Sequence, residues 1–343
     1  MTVPPEPADG PTPAVLAPDP TAMAVESGAS SDGAGPIVGV VVMAYGTPAR
    51  PEDVEAYYTH IRRGRPPEPA QLADLQRRYD ALGGVSPLAQ RTEAQRAAIA
   101  AALDDRAPGA YRVVLGQKHA APFIEDAVAT LADEGITRVV GLVLAPHYSG
   151  FSVGEYQRRL AAAAAERAMF SAAIDRWHLQ PAYVDFLAAA LRDTLAPLPE
   201  HTKVLFTAHS LPERVLVDDP YPDELLTSAA AIAAEVEPGS PLDWTIAWQS
   251  AGRTPEPWRG PDILEVIREL ATAGEVDGVA VCAQGFVSDH LEVLYDLDIE
   301  AKALADEVGL AFGRTASLNA DPTVMSALAD LVVATAATIG PPT

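Results

Sequence analysis

The chain has 343 residues, 48% of them apolar and 21% charged, a composition that suits soluble folded domains rather than a disordered or fibrous chain, and a length that favours two domains at ~100–200 residues each. Its 47 acidic against 24 basic residues give a net charge of −23, which excludes a protein that tracks nucleic-acid phosphates. No stretch reaches the ~18 uninterrupted apolar residues of a spanning helix, and a single cysteine, Cys282, can form no internal disulfide, so a reducing cytoplasm is the expected compartment.

Residues 1–35 are rich in Pro, Ala, Gly and acid, with no aromatic side chain and no Lys or Arg. They read as a disordered tail, and without a basic start or apolar segment they do not read as an export signal. Order is expected from Pro36, where the apolar run 37–44 does not alternate, as in a strand buried on both faces of a parallel sheet. Similar runs recur at 111–115, 139–145, 204–207, 245–248 and 278–282, with helical patterns between them at 93–103, 122–134, 154–168, 183–195 and 221–235. Alternating strands and helices indicate parallel β/α units, and the pattern restarts near Lys203, so two similar α/β domains are expected. A final apolar helix covers roughly 321–339, and its period does not say which domain it joins.

Ligands of open parallel sheets bind beyond the carboxyl ends of the strands. Those positions here hold Tyr45-Gly46-Thr47-Pro48, Pro146-His147-Tyr148-Ser149, His209-Ser210-Leu211-Pro212 and Gly285-Phe286. A histidine at one strand end is ordinarily a hydrogen-bonded loop side chain; several at one edge argue for a site. Beyond the strand at 278–282, Asp289, Glu292, Asp296 and Glu300 are spaced to share one face if the segment is helical. Like charges so placed repel and need either bulk solvent or a cation. Arg62-Arg63-Gly64-Arg65 and Arg77-Arg78 form a basic cluster suited to carboxylates or phosphates. No glycine-rich phosphate loop follows any strand, so nucleotide binding is the weaker choice.

Together, Tyr45-Gly46-Thr47-Pro48, Tyr58-Thr59-His60-Ile61-Arg62-Arg63-Gly64-Arg65, Gly83-Gly84-Val85-Ser86-Pro87-Leu88, His209-Ser210-Leu211-Pro212, Trp248-Gln249-Ser250 and Gly285-Phe286-Val287-Ser288-Asp289-His290-Leu291-Glu292-Val293 resemble the ferrochelatase family, in particular its soluble, monomeric type that metallates coproporphyrin III. The resemblance runs from about Val38 to Ala337. It implies two Rossmann-like chelatase domains, each a parallel sheet flanked by helices, with a porphyrin cleft between them. The domains expected are 36–146 plus 315–340, the last helix returning to the first domain, and 147–314.

The resemblance makes His209 and Glu292 the metal-handling and catalytic pair, with Asp296 and Glu300 continuing as a metal route. Tyr45 corresponds to a tyrosine beneath the ring that can be axial to product iron, and Arg62, Arg78, Tyr79, Ser86 and Tyr156 match positions that hold the macrocycle or its propionates. His119 and His147 match histidines of lesser standing; His60, His178, His201 and His290 are taken as structural. Neutral imidazole and carboxylates suit delivery of Fe²⁺, whereas a thiolate cage would trap it. Many actinobacterial relatives carry a [2Fe–2S] cluster, but one cysteine cannot hold it, so none is expected and Fe²⁺ is a substrate rather than a cofactor. The expected partners are the porphyrin, ferrous iron and a downstream enzyme that accepts the coproheme, with no nucleic acid. The alternatives are a protoporphyrin IX ferrochelatase or a non-catalytic porphyrin or haem carrier, which would need the ring slot and Tyr45 but no base and no carboxylate row.

Overall fold

The structure is a computed structural model, and it describes residues 36–340 apart from Pro238 and Ser240; the expected tail over 1–35 lies outside the described residues. The non-alternating runs form strands because both faces of each sheet are covered. In β1 (Val38–Ala44), Val40 and Val42 enter one apolar cluster while Val41 and Met43 enter another on the opposite face. β1 pairs in parallel with β2 (Tyr111–Gln117) and β3 (Arg138–Val143), and β3 pairs with β4 (Phe170–Ile174), giving the order β2-β1-β3-β4. The second sheet repeats this order as β6-β5-β7-β8, from β5 (Thr202–His209), β6 (Trp244–Gln249), β7 (Gly278–Cys282) and β8 (Ala311–Arg314).

Among the described residues ten α-helices connect and cover the strands: α1 (Val54–Ile61), α2 (Pro69–Ala81), α3 (Leu88–Arg106), α4 (Ile124–Asp133), α5 (Val153–Glu166), α6 (Pro181–Leu195), α7 (Tyr221–Val236), α8 (Ile263–Ala273), α9 (Lys302–Val308) and α10 (Pro322–Ala336). A π-helical segment, Val293–Ala301, leads directly into α9. One core joins the two sheets: Val40 and Val42 from the first and Val204 and Phe206 from the second share it with Leu103 of α3, Leu187 of α6, Ile232 of α7 and Leu328 of α10. Each such side chain contributes roughly 1.5–3 kcal/mol by leaving water, so parting the halves would expose a costly layer.

One sequence expectation changes. The first sheet does not end at residue 146: α5 and β4 extend it to Ile174, and α6 then crosses to the second sheet, so the boundary expected at 146/147 cuts through the first sheet. β4 and β8 gave no sequence signal because both are short and almost none of their side chains is fully buried, unlike the edge strands β2 and β6. The last helix, α10, lies against α3 and β4 of the first half. Its start is fixed by Asp321, whose side chain accepts from the N–H groups of Thr323 and Val324 at 3.0 Å each. No helix among the described residues is long and apolar enough to cross a membrane.

Candidate active site at the carboxyl ends of the two sheets

β1 ends at Ala44, and Tyr45, which follows it, is 43% exposed. Gly46 follows with φ +91°, and a Cβ there would lie 2.8 Å from that of Ala120, so only glycine lets the chain turn against the loop beyond β2. Tyr57 of α1 donates to the Gly46 carbonyl at 2.9 Å, and His119 donates its backbone N–H to the Tyr45 carbonyl at 2.9 Å. The His119 ring sits 4.6 Å from the Tyr45 ring, with its Nδ1 3.1 Å from His60 Nδ1. Burial, then Lys118 and His60, push the His119 imidazole down to about 3, so it is a neutral support for Tyr45. His60, taken as structural, belongs to the same support.

The second sheet contributes the titratable groups. His209 ends β5 with Nδ1 2.5 Å from the Ser210 carbonyl; a carbonyl only accepts, so Nδ1 carries hydrogen and Nε2 faces Glu292 Oε1 at 3.6 Å. His290 repeats this arrangement from the other side, its Nδ1 2.9 Å from the Ser288 carbonyl and its Nε2 3.6 Å from Glu292 Oε2. Glu292 therefore lies between two anchored imidazoles, at the entry to the π-helical segment, a rare geometry often found at functional sites. Burial alone would lower the His209 pKa, but the Glu292 charge outweighs it and raises the imidazole to about 9. Burial likewise opposes ionisation of Glu292, yet His209 and His290 hold it well below the ordinary carboxylate range. Burial first, and then the Glu292 charge, raise the Tyr45 and Tyr79 hydroxyls of the first half.

Further along the π-helical segment, Asp296 accepts from Arg78 Nη1 at 2.8 Å and from the Ser250 hydroxyl at 2.5 Å, and Arg78 Nη2 lies 3.8 Å from Glu300. Burial, then Glu292, push Asp296 up to about 6. The cation that these like charges called for is thus a guanidinium. Asp289 does not join the row: it precedes the helix, accepts from Asn319 Nδ2 at 2.9 Å, and faces Arg314 at 3.5 Å. Among the described residues, no three His, Cys, Asp or Glu side chains converge to hold a metal ion.

The remaining expected residues are in different states. Arg62 stacks over Tyr58 at 5.6 Å, and neither it nor Arg63 or Arg65 makes an ion pair among the described residues. Tyr79 is buried, its hydroxyl 3.5 Å from that of Thr47. Ser86 is buried and its oxygen accepts from the Leu88 N–H at the start of α3, which leaves its own hydrogen to donate. Tyr156 is buried on α5 under the ammonium of Lys118, 5.3 Å from the ring centroid. His147 lies deeper, bonded through Nε2 to Ser228 Oγ at 2.8 Å and set 6.3 Å from the ring of Tyr221, whose hydroxyl donates to the His209 carbonyl at 3.3 Å. Sequence reasoning missed His290 and Ser250; a histidine two residues before the candidate glutamate was the available signal for the first. Cys282 is fully buried in β7 and alone cannot bind an iron–sulfur cluster.

The ferrochelatase family model matches residues 37–336. The chain belongs to the ferrochelatase family. This ferrochelatase-family chain is 43% identical over 304 residues to the coproporphyrin III ferrochelatase of Bacillus pumilus (strain SAFR-032), covering 86% of this chain and 96% of the relative. It is equally identical to that of Bacillus subtilis (strain 168), over 86% and 97%, and 42% identical to that of Listeria innocua serovar 6a, over 86% and 97%. Among solved structures it resembles SirB from Bacillus subtilis with Fe³⁺ (TM-score 0.53, 13% identity, 88% of this chain and 96% of that one). It likewise resembles the sirohydrochlorin chelatase SirB of subspecies spizizenii in complex with cobalt (TM-score 0.52, 11% identity, 88% and 96%). The likeness to SirB shows the shared two-domain chelatase fold.

Proposed function

We propose that the protein inserts Fe²⁺ into coproporphyrin III, releasing two protons to give the iron porphyrin of haem biosynthesis. The observation that carries this reading is the His209–Glu292 pair, 3.6 Å apart. Insertion needs a base for the pyrrole hydrogens and a carboxylate to guide the cation. With Nδ1 bonded to a carbonyl, His209 presents Nε2 to both tasks. Near neutrality Nε2 is protonated because Glu292 is its counter-ion. Arrival of Fe²⁺ beside Glu292 supplies a competing positive charge, expels that proton and leaves Nε2 free to take one from the ring. Thiolates that would hold the ion are absent from this space, which suits passage rather than storage.

Tyr45, Tyr79, Ser86, Tyr156 and Lys118 would form the ring-facing wall, with Tyr45 axial to the product iron, and Arg62 and Arg78 would take propionates. Coproporphyrin III has four propionates and protoporphyrin IX two, so the unpaired Arg62, Arg63 and Arg65 support the former, as do the names of the curated relatives. Both halves of the site come from one chain, which supports a monomer handing its product to a coproheme-accepting enzyme. Ferrous iron favours a reducing cytoplasm. Anaerobic incubation with Fe²⁺ and each free-base porphyrin, followed by absorbance, tests the reading. The expected outcome is faster turnover of coproporphyrin III; failure with both porphyrins would leave a carrier.

A further inference from the structure

Arg78 is placed differently from the other arginines of the cleft. Arg62, Arg63 and Arg65 make no ion pair among the described residues, Arg62 donating only from Nε to the Arg65 carbonyl at 3.3 Å, and can meet an incoming carboxylate without breaking a charge pair. Arg78 already has three carboxylates: Asp296 at 2.8 Å, Asp74 at 3.4 Å and Glu300 at 3.8 Å. Its guanidinium also lies over the Tyr295 ring, 4.7 Å from the centroid, and its buried Nε makes no hydrogen bond. It reaches these groups from α2 in the first half, whereas Asp296 and Glu300 belong to the second. A cation held between Asp296 and Glu300 keeps a second cation out, because like charges at that range repel.

We propose that Arg78 couples the two substrates by exchange: a propionate of the arriving porphyrin draws its guanidinium off Asp296 and Glu300, and those carboxylates are then free to receive Fe²⁺. The inference rests on the chelatase reading and on Arg78 as a propionate partner. The exchange strands no charge. Asp296 keeps the Ser250 hydroxyl at 2.5 Å, Asp74 keeps Arg77 and Arg253, and Glu300 is 35% exposed to water. Guanidinium–carboxylate bonds are traded for bonds of the same kind, so the binding of the ring itself decides the direction. The coupling is reciprocal: a cation on the freed carboxylates tightens porphyrin binding by the same factor.

The test uses Mn²⁺ followed by electron paramagnetic resonance, with and without zinc coproporphyrin III, which is already metallated and cannot take manganese into its ring. Porphyrin saturation is verified from the Soret band. In the wild-type protein, porphyrin should tighten Mn²⁺ binding about 5-fold or more, the lower end of ordinary site-to-site coupling. Asp296→Asn with Glu300→Gln should abolish that increment. Arg78→Gln, its fold verified by melting temperature, should bind Mn²⁺ with or without porphyrin at the tighter affinity. An unchanged Mn²⁺ affinity in porphyrin-saturated wild type overturns the exchange while leaving the chelatase reading intact. A gain that persists in Arg78→Gln also overturns it, because the propionate charge would then be attracting the cation directly. No porphyrin binding at all overturns the functional reading and the exchange together.

Discussion

The two sheets share one strand order and carry opposite chemistry at corresponding edges. The first half carries aromatic hydroxyls and guanidiniums, Tyr45, Tyr79, Tyr156, Arg62 and Arg78, the set that the proposed function assigns to the flat anionic ring. The second carries His209, His290, Glu292 and Asp296, the set that the proposed function assigns to protons and the metal ion. On the proposed function, a repeated scaffold thus supplies two unlike walls, one for the ring and one for the ion.

The strongest way to break this division is to remove the second wall alone. His209→Ala and Glu292→Gln are each expected to lower the rate of iron insertion by about 10²-fold or more, the usual contribution of a positioned acid or base, with coproporphyrin affinity changed only slightly. Stopped-flow insertion and fluorescence binding measure the two separately; parallel loss of binding would show that the walls are not separable.

The same pair gives a pH signature. With the folded pKa of His209 raised to about 9 from an ordinary 6.5, its pairing stabilises the fold fully below about pH 6.5 and loses that contribution as pH rises through about 9. Glu292, held below its ordinary 4.5, contributes above about pH 4.5 and loses its contribution as pH falls towards its depressed value. Activity in kcat/KM should climb towards pH 9 as free enzyme loses the His209 proton. In Glu292→Gln the counter-charge is gone and burial remains, so imidazole NMR should find the His209 pKa at or below 6.5. A value still near 9 would transfer the shift to another group.

His209 and Glu292 of the second wall were as legible in sequence as Tyr45 and the arginines of the first. Tyr45 and the arginines stand beside glycines and prolines that punctuate the chain, and the buried strands announce themselves by composition. β4 and β8 were silent because both are short and almost none of their side chains is fully buried. The acidic row was legible as a spacing but not as a structure: Asp289 lies before the helix, and the segment from Val293 is π-helical. That Arg78 supplies the required cation depends on a contact across 218 positions of chain, which no local pattern contains.

A smaller effect tests the first wall. Arg62→Ala should raise KM for coproporphyrin III and leave kcat nearly unchanged, and added salt should reproduce part of the effect in the wild type. A desolvated charge-assisted bond is worth roughly 1.5–3 kcal/mol and a rim pair less than about 1, so the half-buried Arg62 should cost between a few-fold and tenfold. Protoporphyrin IX, with two fewer carboxylates, should suffer less, and an equal loss for both porphyrins would remove Arg62 from substrate selection.

The smallest expected effect asks whether the unlike walls stand on one scaffold. α10 is last in sequence yet packs on the first half and enters the core that also receives Phe206 of the second. Asp321 holds its first turn through two backbone N–H groups. Asp321→Ala removes both acceptors, which should cost about 1 kcal/mol and lower Tm by roughly 2–4 °C for a domain of this size. Because the core is continuous between the sheets, a thermal melt should keep a single transition at the lower temperature, with insertion activity at 25 °C unaltered. Two separated transitions in the variant would mean that the halves fold independently and that the shared helical layer joins them only loosely.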